Sequence, residues 1–344
     1  MRSGNNIFER QVHKLDSADN IRELNIDISA NINSDISSGT GSNSDIVHID
    51  FDTEVYAFSR KIAIFFKNNA DVQTCITMEN SCSVLTACNG PLNIKASPDF
   101  SHALYSLKYN EKEWLDSSFP TPGIKSWWNP WLGGLSLSIS GISTASILEE
   151  KRQSEFVELE DVLGNKWKGI RNVINIEKNE LYRGMKVGFY FLMLPGVPVL
   201  CCVTGVFQNT GRHYNKIGFY NQCFFKPSEE LKESWVMFGN CKNELLKIKA
   251  GREQHYISPV STPMYGSPSR SEKLHVYVNT DMARIEAGVD INLIMAEIIQ
   301  RPRIMNGEGI FTQPIFLVFS DNHLQAEILK DLNNVKFDSK ELKI

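Results

Sequence analysis

Apolar and polar residues alternate along much of this chain. Ile49, Phe51, Thr53, Val55 and Ala57 occupy every second position, as do Ile62, Ile64 and Phe66, then Val72, Thr74, Ile76 and Met78. This is the period of a strand with one buried face, because successive side chains point to opposite sides. Leu135, Leu137 and Ile139 repeat it after Gly133-Gly134. Further strands are predicted at Phe219–Phe225, Trp235–Phe238, Leu245–Ile248, Leu274–Val278, Val289–Met295 and Ile315–Phe319. Many short strands jointed by Gly, Pro or Asn predict a mainly β fold, a β-sandwich or jelly-roll-like, with few helices. The clearest helix is C-terminal and amphipathic, near residues 322–333. Ser320 or Asp321 can cap it, and Leu324, Ile328, Leu329 and Leu332 form its apolar face.

Residues 1–45 read as an acidic arm and flexible linker. Leu24, Ile26, Ile28, Ala30 and Ile32 alternate as in a strand, and Asn, Ser, Asp and Gly dominate 33–45. Residues 46–118 form a β-rich N-terminal unit, 119–134 a Pro/Trp-rich connection, and 135–344 a β-rich main unit ending in the helix. Within it, 258–271 reads as an exposed loop. The net charge of −4 excludes a polybasic nucleic-acid coat.

Val187 to Gly211 contains no charged residue, but Pro195-Gly196-Val197-Pro198 divides it. Proline removes a backbone donor and breaks a helix, so the stretch predicts a buried hairpin rather than a span. Peripheral membrane contact through 187–207 is the alternative. The first residues lack the apolar core of a secretory signal, the cysteines number seven, and no Asn-x-Ser/Thr occurs. These features predict an intracellular, reducing environment.

Cys75, Cys82, Cys88 and His102 lack the paired spacing of structural zinc, so no metal is expected. No cofactor fingerprint or Gly-x-Ser-x-Gly is present. Cys201-Cys202 lies in the apolar hairpin, and Cys223 stands ten residues from His213, which keeps a thiol hydrolase as an enzymatic alternative although the chain leans away from catalysis. Between 164 and 188, Lys166, Lys168, Arg171, Lys178, Arg183 and Lys186 outnumber Glu177 and Glu180, with Trp167 and Tyr182 interleaved. Cations for phosphates and aromatic faces for bases are the ingredients of single-stranded nucleic-acid binding. Trp127, Trp128 and Trp131 suggest an interface and a homo-oligomer. A carbohydrate-stacking platform is less favoured there, because no carboxylate pair lies near in sequence.

Leu159-x-Asp161, followed by Gly211 and Gly218, resembles the motif of plant-virus movement proteins of the thirty-kilodalton superfamily. Phe189–Pro195 is similar to a strand-then-proline segment of those proteins. The resemblance implies a non-enzymatic movement protein that binds single-stranded nucleic acid, oligomerises and acts in the host cytoplasm and at the cell periphery. Lys273–Asn279 and Val289–Met295 are similar to the last strands of picorna-like capsid jelly rolls, which implies a coat protein instead. An Asn/Ile/Lys-rich composition also suits an effector that binds a host protein.

Overall fold

The computed structural model describes residues 44–52, 57–239 and 244–342; the arm expected over 1–45 lies outside them except for its last two residues. The alternation becomes twenty-three strands among the described residues, and every pairing is antiparallel. A first sheet runs, in spatial order, through β3 (Gln73–Glu79), β4 (Cys82–Cys88), β5 (Leu92–Ala96), β6 (Leu104–Tyr109), β10 (Leu135–Ile139), β15 (Phe219–Phe224), β21 (Ile294–Gln300), β20 (Ala283–Val289) and the start of β18 (His255–Gly266). A second runs through β11 (Lys151–Glu160), β12 (Lys166–Ile176), β13 (Met185–Met193), β14 (Val199–Gln208), β23 (Ile315–Ser320), β19 (Lys273–Tyr277), the end of β18, β16 (Trp235–Gly239) and β17 (Leu245–Lys249).

The two inner faces meet in one core. Leu137, Ile285, Ala296 and Ile298 of the first sheet join Ile170, Phe189, Phe191 and Leu317 of the second. The fold is therefore a β-sandwich, as the period-two pattern predicts. The second sheet is covered on its outer face too: Trp167, Tyr190 and Leu192 pack with Leu324, Ile328, Leu329 and Phe337 from the C-terminal segment. The C-terminal helix is short, spanning Ala326–Leu329, followed by a 3-10 segment at Lys330–Asn334. Ser320 cannot cap it because Ser320 ends β23; its hydroxyl accepts from the Asn322 N–H and turns the chain, and Gln325 is the N-cap residue.

From Val187 onward β13 and β14 form the uncharged hairpin, central in the second sheet. Phe189, Phe191 and Met193 enter the inter-sheet core, while Tyr190 and Leu192 enter the outer cluster. Protein covers both faces, which explains the apolar run. Among the described residues no helix is long and apolar enough to cross a membrane.

Three expectations are corrected. Residues 119–134 do not separate two units, because Leu135 of β10 pairs with Leu104 of β6 and both sides feed one core. Gly134 makes that seam possible: it sits at φ +63°, where a Cβ would lie 2.1 Å from the Leu104 carbonyl oxygen. The Pro-rich stretch 258–271 is in large part β18, with a register shift between Ile257 and Val260 accommodating Pro259, which has no N–H for a ladder. Val289–Met295 is not one strand: Val289 ends β20, Ile294 and Met295 begin β21, and the turn between them is held where the Asp290 carboxylate accepts from the Asn292 N–H at 2.6 Å.

Candidate functional site

The basic run does not make one surface. On β12, Lys166 and Lys168 point to one side of the strand and Trp167 and Arg171 to the other. Trp167 is 2% exposed and donates its indole N–H to Asp161 at 2.8 Å; Tyr182 is buried and donates to the Ser140 carbonyl. Neither offers a face for stacking. Arg171 is buried against Glu155 (2.5 Å) and Tyr190 (3.1 Å), and Lys168 is paired with Asp71 (2.7 Å) and Glu158 (3.3 Å). Lys166, Lys178, Arg183 and Lys186 are exposed, but they are spread over two strands and a turn.

The Leu-x-Asp motif has a local explanation. Asp161 accepts from the backbone N–H groups of Leu163 and Asn165, both at 2.9 Å, and from Trp167, so it closes the β11–β12 turn. Leu159 is a core residue beside it. Gly211 and Gly218 make their bonds elsewhere, to Asn306 and Ser140. Burial argues against a nucleophile at three of the cysteines: Cys201, Cys202 and Cys223 are enclosed, which pushes each thiol well above its ordinary range, and the Nδ1 of His213 accepts from the Asn306 N–H rather than from Cys223.

The outer face of the first sheet is different. Most of its apolar residues point inward, Phe224 and Met295 point outward, and the other intervening positions place Ser136, Gln222, Glu297 and Glu286 in one row across β10, β15, β21 and β20, each opposite the next in register. Gln222 Nε2 donates to Glu297 Oε1 at 3.0 Å, and Gln222 Oε1 accepts from Ser138 at 3.4 Å. Glu286 accepts from Ser258 at 2.7 Å and from the Tyr256 hydroxyl, and pairs with Arg284 at 2.7 Å. Burial raises the pKa of Glu297, the bond from Gln222 opposes the rise, and the neighbouring Glu286 adds to it. Two carboxyl groups thus stand side by side, one surrounded by donors and the other with its pKa raised chiefly by burial.

Beside this row rises the hairpin of β8 (Gly123–Lys125) and β9 (Trp128–Trp131). Trp131 is buried against Phe224, Trp128 is half-buried on the same ring, and Trp127, 59% exposed, stacks on Trp128 with centroids 4.4 Å apart. Only Trp127 and Trp128 therefore offer outward faces. Beneath them a cavity of about 10 Å³ is lined by His102, Trp128, Trp131, Ser136, Ser138 and Gln222, room for one water-sized group.

Two buried polar atoms in its lining residues have no partner among the described residues: His102 Nδ1 and Trp131 Nε1. Burial lowers the His102 pKa to about 4, so the ring is neutral. Its Nε2 faces the Leu137 carbonyl at 2.9 Å and must carry the hydrogen, which leaves Nδ1 as an acceptor. Trp131 is a donor only. A group that accepts from one and donates to the other satisfies both, and a hydroxyl does that. Sequence reading missed the row because its members are spread from 136 to 297. A single Glu inside an apolar strand, as in Met295-Ala296-Glu297-Ile298, was the available signal.

No protein-family model matches the chain, and comparison with curated proteins finds no match either. Solved structures do resemble it. A candidate aldose 1-epimerase from Klebsiella pneumoniae subsp. pneumoniae MGH 78578 aligns over 84% of this chain and 90% of its own, with a TM-score of 0.52 and 9% identity. A galactose mutarotase-like protein from Clostridium acetobutylicum aligns over 73% of this chain and 99% of its own, at TM-score 0.48 and 10% identity. The GH36 α-galactosidase AgaB from Geobacillus stearothermophilus matches 73% of this chain at TM-score 0.41 and 9% identity, over 41% of that enzyme.

The likeness to the Klebsiella protein is one of fold. It corrects the expectation of a viral movement protein, and the jelly-roll coat-protein alternative falls with it: these strands share the sandwich architecture of the Klebsiella protein.

Proposed function

We propose that this chain binds a saccharide on the outer face of the first sheet. The observation that carries the reading is the placement of the Trp127–Trp128 aromatic pair over a hydroxyl-sized cavity, beside the Ser138–Gln222–Glu297 hydrogen-bonded chain. A sugar has an apolar ring face that stacks on an indole, and hydroxyls that donate and accept at once. One hydroxyl enters the cavity between Trp131 and His102 while the ring lies against Trp128. The fold shared with a candidate aldose 1-epimerase supports a sugar over other polyols.

The raised pKa of Glu297 favours a second reading, in which the bound sugar is also acted on. Opening an aldose ring places a proton on the ring oxygen as its bond to the anomeric carbon breaks and takes one from the anomeric hydroxyl, and a carboxyl with an elevated pKa beside a second carboxylate suits that paired transfer. Titration of intrinsic tryptophan fluorescence with glucose, galactose, mannose and xylose tests binding, and polarimetry of fresh α-glucose and α-galactose tests the chemistry. The proposal expects a saturable change with at least one sugar, lost in Trp128→Ala. A flat response to all four, with the protein folded, overturns it.

A further inference from the structure

A second cavity opens on the same sheet face, across the hairpin from the first. It is a wide, open cleft of about 340 Å³, roomy enough for a small molecule, and its walls include Glu79, Lys95, Tyr105, Asp116, Phe119 and Lys226. The Tyr105 and Phe119 rings lie flat on each other, with centroids 3.9 Å apart and planes 7° from parallel, and form an aromatic slab at its edge. The charges around it are already matched. Lys95 pairs with Glu79 at 2.6 Å, Asp116 with Lys125, and Lys226 with Glu229 at 2.5 Å. Glu113, also in the wall, accepts from the N–H groups of Leu107, Trp114 and Leu115 and from the Ser106 hydroxyl. An ionic ligand would have to displace one of these pairs. A neutral ligand rich in hydroxyls would find fixed donors and acceptors beside an aromatic face.

The two cavities are joined by one chain of contacts. Asp116 lines the large cavity and holds Lys125, whose Nζ lies 4.6 Å from the centroid of Trp131, and Trp131 lines the small one. The ridge between them carries Ile124 and Trp127, 75% and 59% exposed. We infer that the ligand is an oligosaccharide, with one ring against Trp128, the chain crossing the hairpin, and a second ring against Phe119. This inference rests on the saccharide reading above and extends it from a single sugar to a glycan.

Isothermal titration of the full chain with oligomers of one to six units, in the cello-, malto-, xylo- and galacto-oligosaccharide series, tests it. In one series the affinity should rise at least roughly tenfold between the monosaccharide and the longer oligomers. Phe119→Leu, which keeps apolar packing against Phe100 and Tyr105 without the aromatic face, should bring the longest oligomer down to monosaccharide affinity. Trp128→Ala should weaken every length. Affinity independent of length, or a length dependence unchanged in Phe119→Leu, overturns the second ring position and leaves the Trp128 site standing. Absence of binding by every oligomer overturns both. Thermal melts of each variant separate lost binding from lost folding.

Discussion

Glu286 and Glu297 are register partners on adjacent antiparallel strands, so two carboxylates project side by side from the same face of the first sheet. Directly opposed like charges disfavour each other by a few tenths to about 1 kcal/mol. The protein tolerates the pair by giving Glu286 three partners and by letting Glu297 retain a proton more readily. Such an arrangement costs stability, which is consistent with a site shaped by function rather than by folding alone.

The sign of that cost is testable. A carboxyl whose pKa is raised on folding stabilises the fold below its ordinary range, and the contribution is lost as pH climbs through the raised value. Glu297→Gln should therefore be as stable as wild type in acid and more stable near neutral pH, by up to about 1 kcal/mol. Urea unfolding at several pH values measures it. The same variant should lose any effect on the optical rotation of fresh aldose.

His102 and His275 give a second, opposite pH signature. Both are buried and neutral, with pKa values lowered to about 4 and about 3 chiefly by burial. Their unfolded forms take up a proton near 6.5, so the stability they provide is complete above that pH and is lost as pH falls. Each should cost about 2 kcal/mol between about pH 7 and about pH 5. Unfolding curves for wild type and His102→Gln at the two pH values should differ by about that amount.

Asp161 is a structural carboxylate, and its removal should be felt in folding. Asp161→Ala leaves two turn N–H groups and the buried indole of Trp167 without their acceptor. Unpaired buried donors cost about 1–3 kcal/mol each, so a loss of about 3 kcal/mol is expected. Differential scanning calorimetry checks it. Charge reversal at exposed Lys166 or Lys178 should shift stability by less than about 0.5 kcal/mol.

The architecture was legible because alternation is a local signal. Leu135-Ser136-Leu137-Ser138-Ile139 states its own inner and outer faces, and the inner one is the core observed. The site was not legible for the complementary reason. Ser136, Gln222, Glu297 and Glu286 meet only through pairing between strands distant in sequence, so no spacing announces them. The basic run misled in the reverse direction: a charge count along β12 ignores that Lys168 and Arg171 leave opposite faces of the strand. Near the tryptophans, a carboxylate pair absent from the neighbouring sequence is supplied by β20 and β21, through Gln222.

The indole N–H signals of the six tryptophans offer the most direct test of the central claim. In a ¹⁵N-labelled sample titrated with the best-binding sugar of the panel, the signals of Trp127, Trp128 and Trp131 should move together. Trp131 should move most, because its buried N–H gains an acceptor. Trp114, Trp167 and Trp235, buried elsewhere, should stay in place. Sugar binding that leaves Trp128 and Trp131 unmoved, or six stationary signals against every sugar, would contradict a saccharide site on this face.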